Sequence, residues 1–401
     1  MKAIANRSNT LRLVLAFAGF ISIGLPDGLL GVAWPSMRAF FHLPLDALGS
    51  LLVSYTIGYL CSSFSSGRLL RRFSVGVLLA LSCLVTGVSL IGYATTGLWW
   101  IVILLGSLAG LGAGAIDAGL NTFAATHFSH RTVNWLHAFY GVGAFSGPLL
   151  MTKVLDAGRP WQLGYAIVGG GQLALALCFG VTLRLWQSDQ GDSANPEEIT
   201  HAPTNTTLRL PVVWLSIAVF FAYTGIEAAA GAWAFTLFTE ARGISMMLAG
   251  TWVSLYWGSL TAGRIGAALI TNRISPHRLL RSCIVGQIIG AMLLWGDWSR
   301  LSSFLGLALI GLASAPIFPS LIATTPTRLG PQHTANAVGF QIAAAVLGQS
   351  LIPALIGFIA QAWGLTIIPT ALLIFISLLL LLHEGLLAAV TQHQQTMRAI
   401  A

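Results

Sequence analysis

Long apolar stretches, separated by short polar or Gly/Pro-containing breaks, dominate the pattern of the chain. About 20 apolar residues are enough to cross a bilayer as one α-helix. The stretches are continuous instead of alternating every second residue, which argues against a transmembrane β-barrel. We therefore predict an all-α membrane protein with twelve transmembrane helices. The predicted spans cover residues 11–34, 47–67, 75–94, 98–125, 133–155, 161–186, 211–238, 246–270, 278–296, 301–325, 334–360 and 364–383.

One polar, acidic and proline-containing segment interrupts this pattern after the sixth span, and its composition is typical of a flexible linker. The halves on either side resemble each other at an offset near 200, where the membrane acid Asp27 corresponds to Glu227. Duplicated halves of this kind are typical of secondary transporters whose site lies between them. The predicted parts are a six-helix bundle at 1–186, a cytoplasmic linker at 187–208 and a second six-helix bundle at 209–401.

Charge is scarce and unevenly placed. Only 8% of the residues are charged, against about 25% in a typical soluble domain. Fifteen of the 20 Lys and Arg residues are predicted on the side of the two termini. The other side receives Arg38, Lys153, Arg159, Arg242 and Arg300. This bias is typical of cytoplasmic termini, so we expect a multi-pass protein of the bacterial inner (plasma) membrane, with the lipid bilayer and not nucleic acid as its partner.

Three of the 12 acidic residues, Asp27, Asp117 and Glu227, lie deep inside predicted spans. No Lys or Arg is predicted at the same depth. An ionised acid in hydrocarbon costs about 2.5–3.5 kcal/mol or more, so such residues face a cavity, are paired or are protonated. We predict that all three couple transport to protons, while a structural acid bonded between helices remains the alternative, most of all for Glu227.

Polar and aromatic residues also recur at helical spacing within the spans. Asn121 lies one turn after Asp117, and His137 shares a face with Tyr140. Aromatic rings stack on the CH faces of sugars, while amides and acids bond their hydroxyl groups. For His137, a hydrogen bond between helices is an equally good explanation. The predicted substrate-binding residues are Asp27, Asn121, His137, Tyr140, Glu227, Trp252, Tyr256, Asn336 and Gln341.

Sequence motifs for catalysis are missing. His383-Glu384 is followed by Gly-Leu-Leu, which does not form the zinc-binding HExxH motif, and no phosphate-binding GxxxxGK[ST] loop occurs. We therefore expect no enzyme activity, no metal site and no cofactor. The energy for transport must then come from an ion gradient or from the gradient of the substrate.

Five motifs carry a family resemblance: GRLLRRFSVG at 67–76, PDGLLGVAWPSM with Asp27, GAGAIDAGLNTF with Asp117, LHAFYGVGAFSGPLL with His137, and SAPIFPS at 314–320. With them, nearly the whole chain resembles the major facilitator superfamily. Within that superfamily it is most similar to the fucose–galactose–glucose:proton symporters, the L-fucose permease-like family. The first motif is the family's gating loop, and its residues here are Gly67, Arg68, Arg71 and Arg72.

The resemblance implies a monomer in which Asp27 and Asp117 serve proton coupling and sugar binding, with Asn121 and the segment from His137 to Tyr140 lining the site. The sequence departs from the family at Arg71, where an Asp is usual, and at Asp117, where the permease pattern has Glu. We predict a transporter of a hexose or deoxyhexose that works by alternating access as a proton symporter. Sodium-coupled sugar symport and proton-coupled export of drugs or metabolites are the alternatives.

Overall fold

The computed structural model describes residues 2–186, 203–270 and 274–400 as helices joined by short connections. The first part contains α1 (Lys2–Phe41), α2 (Leu48–Arg72), α3 (Val75–Thr95), α4 (Trp99–His127), α5 (His130–Asp156) and α6 (Trp161–Val181). The second contains α7 (Thr204–Thr207), α8 (Pro211–Thr236), α9 (Met246–Ile270), α10 (Pro276–Gly296), α11 (Arg300–Ser314), α12 (Ile317–Leu329), α13 (Pro331–Trp363) and α14 (Ile368–Ile400). Single turns of other helix types lie at Leu45–Ala47, Leu183–Trp186, Leu237–Ala241 and Leu365–Ile367.

Within the described residues, ten segments are long and apolar enough to cross a membrane. The prediction of an all-helical membrane protein is therefore confirmed. The helices α5 and α9, which coincide with the fifth and eighth predicted spans, are two further helices of more than 20 residues that are not among these ten.

The tenth predicted span, 301–325, is divided into α11 and α12. The two linking residues keep nearly helical backbone angles, with φ −54° and ψ −46° at Ala315 and φ −80° and ψ −13° at Pro316. Pro316 and Pro319 have no N–H group and cannot donate helical hydrogen bonds. One long helix is therefore interrupted at its middle, next to the central cavity that both prolines border.

The order of helix pairing is the same in the two parts of the chain. In the first, α1 packs on α5, α2 on α4, and α3 on α6. In the second, α8 packs on α13, α9 on α11, and α10 on α14. When α11 and α12 are taken as one interrupted helix, these are equivalent pairs, so the weak sequence repeat has a counterpart in the packing.

The pair α1 and α5 is packed backbone against backbone. A Cβ atom added at Gly24 would lie 2.2 Å from the carbonyl oxygen of Tyr140, and one added at Gly143 would lie 2.2 Å from that of Ile21. Only glycine permits such an approach, which small residues commonly provide between membrane helices. The close crossing brings the Tyr140 side chain of α5 to Asp27 of α1.

An ion pair and a hydrogen bond join the two parts of the chain at one end of the helices. We call the end where α1 begins the N side and the opposite end the far side. On the far side, Arg38 near the end of α1 forms an ion pair with Glu240, with Nη2 and Oε2 2.9 Å apart. The backbone N–H of Leu45 donates to Oε1 of Gln361 at 2.7 Å. The far side is therefore closed by direct bonds between the two parts.

Most of the predicted linker, residues 187–202, lies outside the described residues. Its last part is packed against the second half, because the hydroxyl of Thr207 is buried and lies 2.9 Å from Nδ1 of His333. The Nδ2 group of Asn336 also lies 3.4 Å from this hydroxyl. The short helix α7 is thus anchored to the start of α13.

Candidate functional site

A cavity of about 1410 Å³ lies between the two parts of the chain and is lined by side chains from both. Asn121 and Trp135, close to the connection between α4 and α5, border it on the N side. Ile274 and Pro276, at the start of α10, border it on the same side. Because bonds between the two parts close the far side, the cavity extends to the N side of the molecule.

All three predicted membrane acids border this cavity. Asp27 accepts a hydrogen bond from the hydroxyl of Tyr140 at 2.7 Å. Asp117 accepts one from the hydroxyl of Tyr59 at 2.8 Å and one from Nδ2 of Asn121 at 2.9 Å. Both acids are thus held by neutral donors, which satisfy a carboxyl group without fixing its charge.

Close packing of α2 against α4 positions the Asp117 cluster. A Cβ atom at Gly58 would lie 1.8 Å from a carbonyl oxygen of α4, and one at Gly110 would lie 1.9 Å from a carbonyl oxygen of α2. This approach keeps Tyr59, the residue after Gly58, within hydrogen-bonding distance of Asp117. The two aspartates are therefore each held by a tyrosine on a helix that glycine allows to come close.

Glu227 has a different environment, since Nη2 of Arg264 lies 3.6 Å from its Oε1. The hydroxyl of Tyr223 donates to the same carboxylate and also lies 3.0 Å from the carbonyl oxygen of Ser314. Arg264 lies six residues before Ile270, the last residue of α9, and therefore about 9 Å from the helix end.

The expectation that no Lys or Arg lies at the depth of the acids is therefore wrong for Glu227. Gly263-Arg264 resembles the Gly-Arg pair of a cytoplasmic loop, but here the helix continues beyond it. Among the residues that the structure describes, Arg264 is the one Lys or Arg that lines the cavity. Among the described residues, the cavity therefore combines two aspartates that form no ion pair and one glutamate that is paired with a cation.

Three further predicted substrate residues, Asn121, His137 and Tyr140, also border the cavity. The His137 ring lies edge-on to Phe20, with the ring centroids 5.2 Å apart. The structure thus brings five predicted residues from the first half and Glu227 from the second around one space: Asp27, Asp117, Asn121, His137, Tyr140 and Glu227.

Two predicted aromatic residues of α9 lie outside the cavity lining. The buried Trp252 ring packs between Phe238 and Phe304, with centroid distances of 5.1 and 5.5 Å. The hydroxyl of Tyr256 donates to the backbone carbonyl of Glu227 at 2.7 Å. Trp252 therefore stabilises helix packing, and Tyr256 supports the backbone that holds the acid.

Two predicted amides of α13 also have structural contacts instead of facing the cavity. Gln341 is buried, and its amide donates to the hydroxyl of Ser216 at 2.5 Å and accepts from that of Thr325 at 3.1 Å. Asn336 lies at the anchor of α7, beside Thr207. Neither side chain belongs to the residues around the cavity.

Several aromatic residues of the cavity were not predicted. Tyr55 and Tyr59 lie one turn apart on α2, Tyr223 lies on α8 and Trp257 on α9, and all four border the space. Tyr55 and Tyr59 lie on either side of Gly58, which corresponds to Gly258 in the internal repeat. This position could have indicated which face of α2 borders the cavity. Their rings add flat apolar surface next to the carboxyl groups.

The predicted gating-loop residues lie at the end of α2 on the N side. Gly67, Arg68, Arg71 and Arg72 are all exposed there, away from the cavity lining. Their position at the junction of α2 and α3 agrees with the loop location of the motif, while their role in gating stays a prediction.

Comparison with known proteins places these features in a family. The model of the Major Facilitator Superfamily matches residues 15–296. The chain is 24% identical over 391 residues to sodium-dependent glucose transporter 1 of Danio rerio, covering 85% of this chain and 63% of that carrier's length. It is also 24% identical over 364 residues to the glucose/mannose transporter GlcP of Bacillus subtilis (strain 168), covering 86% of this chain and 87% of that protein.

Solved structures share the fold at low sequence identity. A mutant of the nucleoside transporter NupG superposes with a TM-score of 0.75 at 16% identity, covering 94% of this chain and 99% of that one. The major facilitator transporter FucP, in its outward conformation, superposes with a TM-score of 0.61 at 15% identity over 94% of this chain and 99% of that one.

Proposed function

The chain belongs to the major facilitator superfamily, and from that premise we propose that it is a proton-coupled symporter of a hexose or deoxyhexose that works by alternating access. Membership makes it a transporter and not an enzyme. The curated relatives that it resembles bear the names of glucose or glucose/mannose transporters. We take glucose as the first substrate to test.

Membrane topology is part of the proposal. We propose that α5 and α9 also cross the bilayer and that α11 and α12 form one interrupted span, which gives twelve spans in two six-helix bundles. Arg264 lies in the cavity, but fourteen Lys and Arg residues still fall on the side of the termini and five on the other. This favours cytoplasmic termini in the bacterial inner membrane. The N side is then cytoplasmic, and the cavity is open to the cytoplasm in a monomeric carrier.

The observation that carries the proposal is the convergence of two aspartates, each bonded to a tyrosine, in one cavity with aromatic walls. Asp27 and Asn121 provide acceptors and donors for sugar hydroxyl groups, while Tyr55 and Trp257 provide flat apolar surfaces. Concave sites with a few convergent polar groups among aromatic side chains are typical of small-molecule binding. In this superfamily such a site between the two halves serves transport.

The two aspartates have different roles in the proposed cycle. Asp117 takes up the proton, and its partners Tyr59 and Asn121 remain neutral whether or not the carboxyl group is protonated. Asp27 bonds a sugar hydroxyl and, through Tyr140, links α1 to α5. The sugar binds from the far side when Asp117 is protonated, the halves rock about the cavity, and release on the N side accompanies loss of the proton.

Glu227 contributes from the second half as one member of an ion pair. Together with Arg264 it presents a carboxylate and a guanidinium to the same cavity that the aspartates face from the first half. A sugar that touches both groups would contact both halves at once. We propose that Glu227 binds substrate while its charge stays neutralised by Arg264, so that the transported proton resides on the aspartates.

Reconstituted vesicles test the proposal. Radiolabelled glucose should enter glucose-loaded vesicles by counterflow, and an inward proton gradient should drive its accumulation without sodium. Asp117→Asn should keep counterflow and lose gradient-driven accumulation, because exchange needs no net proton movement. If accumulation requires a sodium gradient, the coupled ion is sodium and not the proton. The name of the Danio rerio relative favours this alternative. Absence of hexose exchange together with drug-dependent proton efflux would favour an exporter.

A further inference from the structure

Two buried basic side chains lie near the N side of the second half without hydrogen-bond partners. Arg328, in the last turn of α12, is only 4% exposed, and His383 of α14 is fully buried. Within the described part of the chain, Nε and both Nη atoms of Arg328 and both ring nitrogens of His383 have no partner. An unpaired buried guanidinium destabilises a folded protein, because its lost hydration is not replaced.

The nearby acid is already engaged. Glu384, the residue after His383, accepts two hydrogen bonds from Arg281, at 2.8 Å from Nε and 2.5 Å from Nη2. Among the described residues, no ion pair to Arg328 is formed. The described part of the chain therefore provides no counter-charge for Arg328.

The start of α10 lies in the same region and adds further donors. Its Ncap residue, Ser275, makes no side-chain capping bond, and the first turn is exposed. First-turn N–H groups have no partner within a helix and attract anions. Arg281, in the second turn of α10, bonds Glu384, the residue after His383, and α10 also packs on α12, which carries Arg328. Two buried basic groups thus lie on helices that pack against α10, whose N-terminus is exposed.

We propose that Arg328, His383 and the first turn of α10 form a binding site for a phosphate group at the N-side mouth of the cavity. Phosphate has enough oxygen atoms for a guanidinium fork, an imidazole and backbone N–H groups at the same time, whereas a carboxylate has two. Pro276 and Thr324 border the cavity, and Arg328 follows Thr324 by one helical turn. The site is therefore adjacent to the cavity but separate from the sugar-binding aspartates.

The phosphate group belongs either to the headgroup of an anionic phospholipid or to a soluble anion, and thermal unfolding distinguishes these sources. Purified protein in uncharged detergent is heated with inorganic phosphate, against sodium chloride of equal ionic strength. In a second arm, phosphatidylglycerol is added to the micelles, against phosphatidylcholine. A ligand of the folded state raises Tm in a concentration-dependent, saturable manner. A phosphate response assigns a soluble anion, and a response to phosphatidylglycerol alone assigns a lipid.

Arg328→Gln should weaken the apparent affinity by about tenfold or more, since hydrogen bonds to charged groups are the strong ones. Arg209→Gln is the matched control, because it removes the same charge from an exposed position on the N side and should keep the full shift. His383→Gln provides a second variant, also with reduced affinity. Without ligand, Arg328→Gln should unfold at the same or a higher temperature, because it removes an unpaired buried charge.

The proposal is overturned if wild-type Tm responds to neither phosphate nor phosphatidylglycerol beyond the matched controls. Equal ligand-dependent shifts in Arg328→Gln and Arg209→Gln would also overturn it. Glucose binding provides an independent readout, because the two sites are separate. If the glucose-dependent shift of Tm is unchanged in Arg328→Gln, the result for the phosphate site is independent of whether the transport proposal holds.

Discussion

Single residues in the cavity differ in how their charge is compensated, and this difference predicts distinct mutant phenotypes. Asp27→Asn should lower sugar affinity about tenfold or more, because a hydrogen bond to a charged group contributes about 1.5–3 kcal/mol. Asp117→Asn should bind glucose normally. Isothermal calorimetry on the purified variants measures this split, and equal losses of affinity in both variants would contradict the division of roles between Asp27 and Asp117.

The tyrosine that holds Asp117 gives a second prediction at this scale. Tyr59→Phe removes the 2.8 Å bond to the carboxylate while keeping the ring, so the rate of proton-driven glucose uptake should fall about tenfold. Tyr55→Phe is the control, since Tyr55 lines the same cavity one turn earlier. Initial uptake rates under a fixed pH gradient provide the comparison, and an equal effect of the two variants would remove Tyr59 from the coupling site.

The ion pair between Glu227 and Arg264 in the second half gives a third prediction. Arg264→Gln leaves the Glu227 carboxylate, whose side chain is 10% exposed, without its cation, and should destabilise the protein by about 1–3 kcal/mol. The double variant Glu227→Gln/Arg264→Gln should lose less than the sum of the single variants, because the two residues compensate each other. Unfolding temperatures of all four proteins complete the cycle, and strict additivity would show that the pair does not interact.

The membrane acids could be predicted from sequence because a charge in hydrocarbon requires a special environment wherever it occurs. Arg264 could not, because a Gly-Arg pair has the same letters at the end of a helix and in its interior. Trp252 and Gln341 were predicted to bind substrate but lie outside the cavity lining, for a related reason. Buried helices such as α9 and α13 have neighbours on several sides, and spacing along the chain does not tell which side faces the cavity.

At the scale of helices, the apolar pattern predicted the positions of the long helices better than their ends. The fourteenth helix continues from Ile368 to Ile400, whereas the predicted span ends at residue 383. Hydropathy marks the part of a helix that lies in lipid, but backbone hydrogen bonding continues into the polar region beyond. The apolar pattern also did not reveal the interruption between α11 and α12, because Pro316 lies within an apolar stretch.

Helix crossing gives a prediction at this scale. Gly24→Ala places a methyl group 2.2 Å from the carbonyl oxygen of Tyr140, so α1 and α5 must separate and the bond from Tyr140 to Asp27 must weaken. Overpacking of this kind costs about 1–3 kcal/mol. Gly170→Ala in α6 is the control, because its Cβ atom would meet nothing within 4 Å and alanine favours the helix.

The unfolding temperature and the glucose affinity should both fall in Gly24→Ala. Both should stay unchanged or rise slightly in Gly170→Ala. The paired measurement matters because a general loss of helix stability would affect both variants. If Gly24→Ala retained wild-type unfolding temperature and affinity, the close crossing of α1 and α5 would not be what positions Asp27.

At the scale of the whole molecule, an exposed ion pair is one of the contacts that close the far side between the two parts of the chain. The side chains of Arg38 and Glu240 are 27% and 29% exposed, and such a pair contributes at most about 1 kcal/mol. A weak ion pair suits the proposed alternating access, in which the carrier leaves this state in every cycle. Arg38→Gln should therefore increase the population that is open on the far side by up to about fivefold.

Labelling from the far side measures this shift. Leu52 borders the cavity near the far-side end of α2, so a cysteine in Leu52→Cys is accessible to a membrane-impermeant thiol reagent only when the far side opens. Its labelling rate, after subtraction of the rate of the chain without this cysteine, should rise in Arg38→Gln. Arg300→Gln, which removes an exposed charge on the same side, should leave the rate unchanged. A rate that does not respond to Arg38→Gln would mean that helix packing, such as that of Gly49 against Ala354, closes the far side without the ion pair.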